Sequence, residues 1–161
     1  MQSEHGQERR RRLIVSVCVL ALIPVAIVLG LLGGSGGTLD VRINELLSSN
    51  SAFPDPAGQF RDFVELVNTG SGPADLGGCG LTDGGSVKYR FPAGTVLGPG
   101  EYLVVWCDSA AEDAEAAPFS ISKDGGETVA LLSARGHVLD SVETIPAARN
   151  CSMVPEGRAG A

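Results

Sequence analysis

The sequence predicts an all-β fold, a two-sheet sandwich, preceded by a single N-terminal transmembrane helix. Three observations carry this. Residues 13–32, "LIVSVCVLALIPVAIVLGLL", form an uncharged run of 20 residues directly after Arg9–Arg12. Beyond residue 38 the chain is a series of short apolar runs punctuated by Gly, Pro and Asp-Gly turns. Outside the first run no segment sustains helical periodicity, and 22 Gly with only 5% aromatic residues suit strands joined by tight turns.

A helix of that first run is roughly 30 Å long, the thickness of a bilayer's hydrocarbon core. The arginine block before it is a topology determinant that stays cytoplasmic, which places the remainder outside. A signal peptide has a shorter apolar region, of about 7–15 residues, so an uncleaved anchor is expected, with a secreted product as the alternative. The organisation is then a cytoplasmic basic tail (1–12), a transmembrane helix (13–32), a Gly/Ser linker (33–39), a sandwich (40–157) and a short C-terminal tail (158–161). Charge divides the same way. Residues 1–37 carry Arg9–Arg12 against Glu4 and Glu8, a net of +2, and the remainder holds the −9 that brings the chain to −7. So acidic a globular part repels phosphate backbones, and no nucleic-acid partner is expected.

The strands follow in order. "VRINELL" (41–47) and "FRDFVELVN" (60–68) flank a polar, Pro-containing loop. "LGGCGLT" (76–82) and "SVKYRF" (86–91) join across Asp83-Gly84-Gly85, a hairpin signal. In the latter, Val87, Tyr89 and Phe91 alternate with Lys88 and Arg90, the pattern of a half-buried strand. "EYLVVWC" (101–107) follows the turn "LGPG", and the acidic, Ala-rich stretch 108–117 reads as a loop or one helical turn. "FSIS" (119–122), "ETVALLS" (127–133) and "HVLDSVE" (137–143) complete eight or nine strands, the last pair turning at Arg135-Gly136.

Lined up, "RINELLSSN", "DFVELVNTGSGPADLGGCGLTD", "YRFPAGTVLGPGEYLVVWCD", "FSISKDGGETVALLSARGHVLDSV" and "CSMVPEG" resemble successive motifs of the lamin tail domain. The resemblance implies an immunoglobulin-like β-sandwich, of the kind found in nuclear lamins and in exported bacterial and archaeal proteins. Here that would be a prokaryotic, membrane-anchored or exported member. It covers about residues 40–157, with Cys79 standing where many members have Trp. It carries Asn44, Glu45, Asp62, Glu65 and Asn68 as recurrent polar positions of the fold and implies no chemistry for them.

Alternation places Phe63, Glu65 and Val67 on one strand face, and puts Glu45 on the face of Val41, Ile43 and Leu47. Such glutamates on neighbouring strands can form a carboxylate pair that shares a proton or holds a cation. The structural reading, in which they accept hydrogen bonds or pair with Arg42, Arg61 or Arg90, is preferred. Asn50, Asp55 and Asp62 around Gly58 are weak candidates for a cation, since Pro54 and Pro56 break the alternation of a calcium loop. No cofactor is expected, and catalysis is not. Beyond the anchor His137 is the sole histidine, and the chain has neither a His-Glu-x-x-His pair nor a nucleophile elbow.

Cys79, Cys107 and Cys151 follow the anchor without a tight Cys-x-x-Cys pair. Export implies oxidation, so one disulfide is expected, Cys79–Cys107 first and Cys107–Cys151 second. Trp106 alternates with Val105 and Cys107. If those two face the core, Trp106 faces outward or packs under the 108–117 loop, and an exposed indole offers a surface contact.

The expected function is a non-catalytic, membrane-tethered, extracytoplasmic binding or scaffolding module. Its contacts would be the membrane through residues 13–32 and a protein or cell-surface partner. The alternatives are an accessory module positioning a separately encoded exported hydrolase, and a small metal-dependent hydrolase using the Asp and Glu cluster.

Overall fold

The computed structural model describes residues 39–110 and 116–155. The expected membrane helix over 13–32, the basic tail before it, all of the linker but residue 39, and the tail 158–161 lie outside the described residues. Within them the protein is all-β, with no helix.

Ten strands are present among the described residues: β1 (Val41–Leu47), β2 (Asp62–Asn68), β3 (Ala74–Asp75), β4 (Gly80–Thr82), β5 (Tyr89–Arg90), β6 (Val96–Leu97), β7 (Tyr102–Cys107), β8 (Thr128–Leu132), β9 (Val138–Glu143) and β10 (Ser152–Met153). They form two four-stranded sheets, ordered β10-β1-β2-β7 and β5-β4-β8-β9, and a small β3-β6 ribbon. Every strand pairing is antiparallel. The core contains Val41, Ile43, Leu46, Val64, Leu66 and Val105 from the first sheet and Leu81, Val129, Leu131 and Val142 from the second. Burying such side chains from both sheets is the main force holding a sandwich together, about 25 cal/mol per Å² of apolar area.

Turn chemistry forms the β4–β5 and β8–β9 connections. Gly84 and Gly85 take φ of 123° and 78°, and Gly136 takes 84°, left-handed values that side-chain-bearing residues rarely adopt. Thr82 Oγ1 accepts from Gly84 N at 3.1 Å and donates to Ser86 O at 2.9 Å, closing the first turn. The strand expected over 86–91 is ladder-paired only at Tyr89–Arg90, although its burial alternates throughout.

Two expectations need correction. "FSIS" is not a strand. Phe119 and Ile121 are buried in the core, but Ile121 N donates to Asp62 Oδ2 at 3.0 Å and Ser122 N donates to Glu127 Oε1. Backbone donors spent on carboxylates build no ladder. The second concerns Glu45. A β-bulge between Ile43 and Glu45 inserts one residue into β1, so Leu46 rather than Leu47 continues the core face after Ile43. Glu45 therefore does not share the face of Val41 and Ile43.

The edges of the first sheet differ. On the β1 side, β10 pairs with Leu46 and Leu47. Beside it Ile43 N donates to Asp140 Oδ2 at 2.8 Å, and Arg42 Nη1 donates to Leu139 O at 2.7 Å. The opposite edge is β7.

Candidate functional site

The outer face of the first sheet is organised in cross-strand rows. Leu47, Phe63 and Trp106 form one, Glu45, Glu65 and Val104 the next, and Arg42, Val67 and Tyr102 the third. The bulge sets the middle row, because it places both Asn44 and Glu45 against the single residue Glu65. Asn44 Nδ2 donates to Glu65 Oε1 at 2.6 Å. The two glutamates that sequence alternation paired loosely are thus direct opposites on a half-buried face.

Trp106 lies on this outer face, since Val105 and Cys107 point into the core. Its ring meets Phe63 edge to face, with centroids 5.6 Å apart and planes at 82°. This geometry suits the ring quadrupoles and holds the indole half-buried on the sheet. Tyr102 and Val104, in line with it, are 59% and 38% exposed, enough to offer apolar area to a partner.

Among the described residues no strand pairs with the outer edge of β7, and along that edge runs a groove of about 260 Å³. Tyr89, Phe91, Pro92 and Thr95 line one side and Leu103–Trp106 the other, with Ala117 also in contact. Tyr89 and Phe91 meet edge to face at 5.2 Å, which fixes that wall. Burial, followed by the nearby Cys107, raises the Tyr89 phenol above its ordinary value, so it remains a neutral hydroxyl at neutral pH.

The remaining candidates are engaged elsewhere. Asn50 staples its own loop: Nδ2 donates to Phe53 O and Arg61 O, while Oδ1 accepts from Ala52 N and Phe53 N. Asp55 Oδ1 accepts from Ala57 N and Gln59 N, and its Oδ2 lies 3.4 Å from Arg61 Nη1. Arg61 Nε lies 3.7 Å from Asp108 Oδ2, so one guanidinium ties the loop to the end of β7. Asp62 sits half-buried at the core's end, where desolvation raises its pKa despite backbone hydrogen bonds from Ile121, Asn50 and Ser49. Asn68 Nδ2 donates to Gly72 O and Leu97 O, both at 2.8 Å, while Oδ1 accepts from Gly70 N at 2.9 Å. His137 is exposed at the β8–β9 turn. Among the described residues no three His, Cys, Asp or Glu side chains gather as a metal site.

The expected Cys79–Cys107 bridge is absent, and Cys151 bridges neither: all three described cysteines are free thiols. Cys79 and Cys107 are both buried, but each turns to the backbone of its own sheet. Cys107 Sγ donates to Val105 O at 3.5 Å, and Cys79 lies against the Ala134 backbone. Burial is the largest cause raising both thiols, which keeps them protonated and inert at neutral pH.

Tyr102, Val104 and the Tyr89–Phe91 wall escaped the sequence reading. The signal for Tyr102 and Val104 was the string "YLVVWC", apolar on both faces and without a charge or proline, which is unusual for an edge strand.

Paired antiparallel sheets around one apolar core, with loops stapled by Asn and Asp side chains, define an immunoglobulin-like β-sandwich module. The Lamin Tail Domain family model matches residues 35–146, so the chain belongs to the lamin tail domain family. No curated protein matches the chain. That family is one of non-catalytic immunoglobulin-like domains. The terminal "CSMVPEG" motif lies beyond the matched residues, yet its Ser152 and Met153 pair with β1 as strand β10.

Proposed function

We infer that the protein is a non-catalytic binding or scaffolding module, tethered to the membrane by residues 13–32 with its sandwich outside the cytoplasm. The observation that carries the reading is the join of a lamin-tail sandwich to an apolar, half-exposed surface. Tyr102 and Val104 are exposed beside Trp106, on a strand without charge or proline. An apolar face of this kind on a soluble module marks an interaction surface. Asn50, Asp55 and Asn68, by contrast, spend their side chains on loop backbone, which serves the fold.

Two measurements test this. External protease on spheroplasts is expected to digest the sandwich, and carbonate washing to leave the chain in the membrane pellet. Protection from protease refutes the topology, and release into the wash refutes the tether. Proximity labelling from the tethered domain in its own cell is expected to return recurrent protein partners. Purified full chain with chelator-sensitive hydrolase activity would favour a metal-dependent enzyme instead.

A further inference from the structure

We propose that the free edge of β7 and the groove beside it bind an extended peptide segment of another protein. The segment adds as a strand and alternates apolar with basic side chains. The proposal deepens the reading of the domain as a binding module and rests on it.

The backbone is aimed for such pairing. Trp106 O accepts from Ala117 N at 2.7 Å, and Asp108 N donates to Ala117 O at 3.0 Å. Residues 106 and 108 therefore turn their backbone groups away from β2. In an antiparallel strand this direction alternates, so Tyr102 and Val104 also present N–H and C=O to the free edge. The isolated parallel bridge Cys107↔Ala117 shows that backbone from another segment pairs with this edge at its far end. Edge strands are ordinarily blunted by charge, proline or a bulge, and "YLVVWC" has neither charge nor proline and pairs with β2 in unbroken register.

The two faces of an added strand meet different surroundings. Alternate side chains enter the 260 Å³ groove against Tyr89, Phe91, Pro92 and Thr95, which favours aliphatic residues. The others lie over the outer face, where the row runs Val104, Glu65, Glu45. Strands are about 4.8 Å apart, so an outward residue opposite Val104 stands roughly 10 Å from Glu65. A lysine or arginine spans that gap with its methylenes on Val104 and its charge toward the carboxylates. The −9 carried by the chain beyond residue 37 favours a cationic partner at longer range. The same charge opposes edge-to-edge pairing of two copies.

The test uses the full chain in detergent and its sole tryptophan, Trp106, as reporter. The probe is acetyl-Thr-Val-Lys-Val-Lys-Val-Thr-amide, with the same peptide carrying Glu for Lys as control. The lysine peptide is expected to shift Trp106 emission saturably and the glutamate peptide to leave it unchanged. Val104→Pro removes an edge N–H without touching the ladder to β2 and is expected to weaken binding at least about tenfold. Glu45→Gln combined with Glu65→Gln is expected to weaken it by roughly tenfold and to flatten its salt dependence.

Should Val104→Pro fail to fold, two N-methylated forms of the peptide decide. Methylation of one alternate set of amides should abolish binding and the other set should leave it intact. Equal effects of the two sets overturn strand addition. No saturable shift, equal binding of both peptides, or unchanged binding to folded Val104→Pro also overturns the proposal. So does a dimer of the full chain that Val104→Pro dissolves, because a second copy then covers the edge. Proximity partners recovered equally with wild type and Val104→Pro would sink the groove and leave the binding module standing.

Discussion

Asn44 Nδ2 donates to Glu65 Oε1 at 2.6 Å because a bulge turns Asn44 and Glu45 out together against one glutamate. The amide offsets part of the repulsion between carboxylates that stand directly opposite each other. Removing it should therefore cost more than removing Glu45. Asn44→Ala is expected to destabilise by about 1.5–3 kcal/mol, the range for a hydrogen bond to a charged group. Glu45→Gln should be neutral or stabilising by about 0.5 kcal/mol, since like charges directly across a ladder are unfavourable. Urea unfolding followed by Trp106 emission measures both. A loss on Glu45→Gln as large as that on Asn44→Ala would give Glu45 a stabilising bond of its own.

The bulge also shows how far the sequence was legible. "VRINELL" and "FRDFVELVN" announced two strands, the second found over Asp62–Asn68, and alternation put Val105 and Cys107 together on what is the core face. Alternation assumes one residue per step, so it carried Glu45 through the bulge onto the wrong face. The strands β3, β6 and β10 span two residues each, too few for any period to register. "FSIS" showed the opposite limit. Its apolar pattern reported burial faithfully, but the ladder depends on where Ile121 N and Ser122 N find acceptors, and those lie 59 and 5 residues away in sequence. The groove along β7 was illegible for a related reason, because its far wall comes from the β4–β5 hairpin and the loop after it.

Arg61 links two acidic groups from separate segments. Its side chain is 9% exposed, with Asp55 Oδ2 at 3.4 Å and Asp108 Oδ2 at 3.7 Å, and Asp55 is itself only 2% exposed. Arg61→Met leaves the Asp55 carboxylate buried without its counter-charge, which should cost about 3–5 kcal/mol. Arg61→Lys should lose less, although one ammonium cannot reproduce the fork that reaches both carboxylates. Adding Asp55→Asn to Arg61→Met should recover part of the loss in the same urea assay. A double variant no more stable than Arg61→Met would show that packing of the arginine stem carries the effect.

Asp62 gives the fold a pH dependence of definite sign. Burial raises its pKa above the ordinary 3.8, so the folded protein holds that proton more tightly than the unfolded chain. Between 3.8 and the raised value the native state binds more protons, and stability from this group increases as pH falls through that window. Above the window the ionised carboxylate carries its desolvation cost. Asp62→Asn removes that cost and keeps an amide oxygen for Ile121 N. Melting temperatures taken from pH 7 down to pH 4 should therefore move in favour of wild type relative to Asp62→Asn. Movement in favour of the variant would mean that the backbone hydrogen bonds, and not burial, dominate at Asp62.

The cysteines test the core from another side. Cys107 is 1% exposed, as is Cys79, and burial keeps each thiol protonated, whereas Cys151 is exposed. Alkylation requires a thiolate that the reagent can reach. Iodoacetamide on the native full chain is therefore expected to label Cys151 rapidly, and to label Cys79 and Cys107 only after denaturation. Peptide mapping without reduction should find all three unbridged. Rapid native labelling of Cys107 would mean that the end of β7 opens locally, since Cys107 borders the Ala117 bridge that closes this stretch of edge. A Cys79–Cys107 cross-linked peptide would require both thiols to leave the backbone groups of their own sheets and meet across the core.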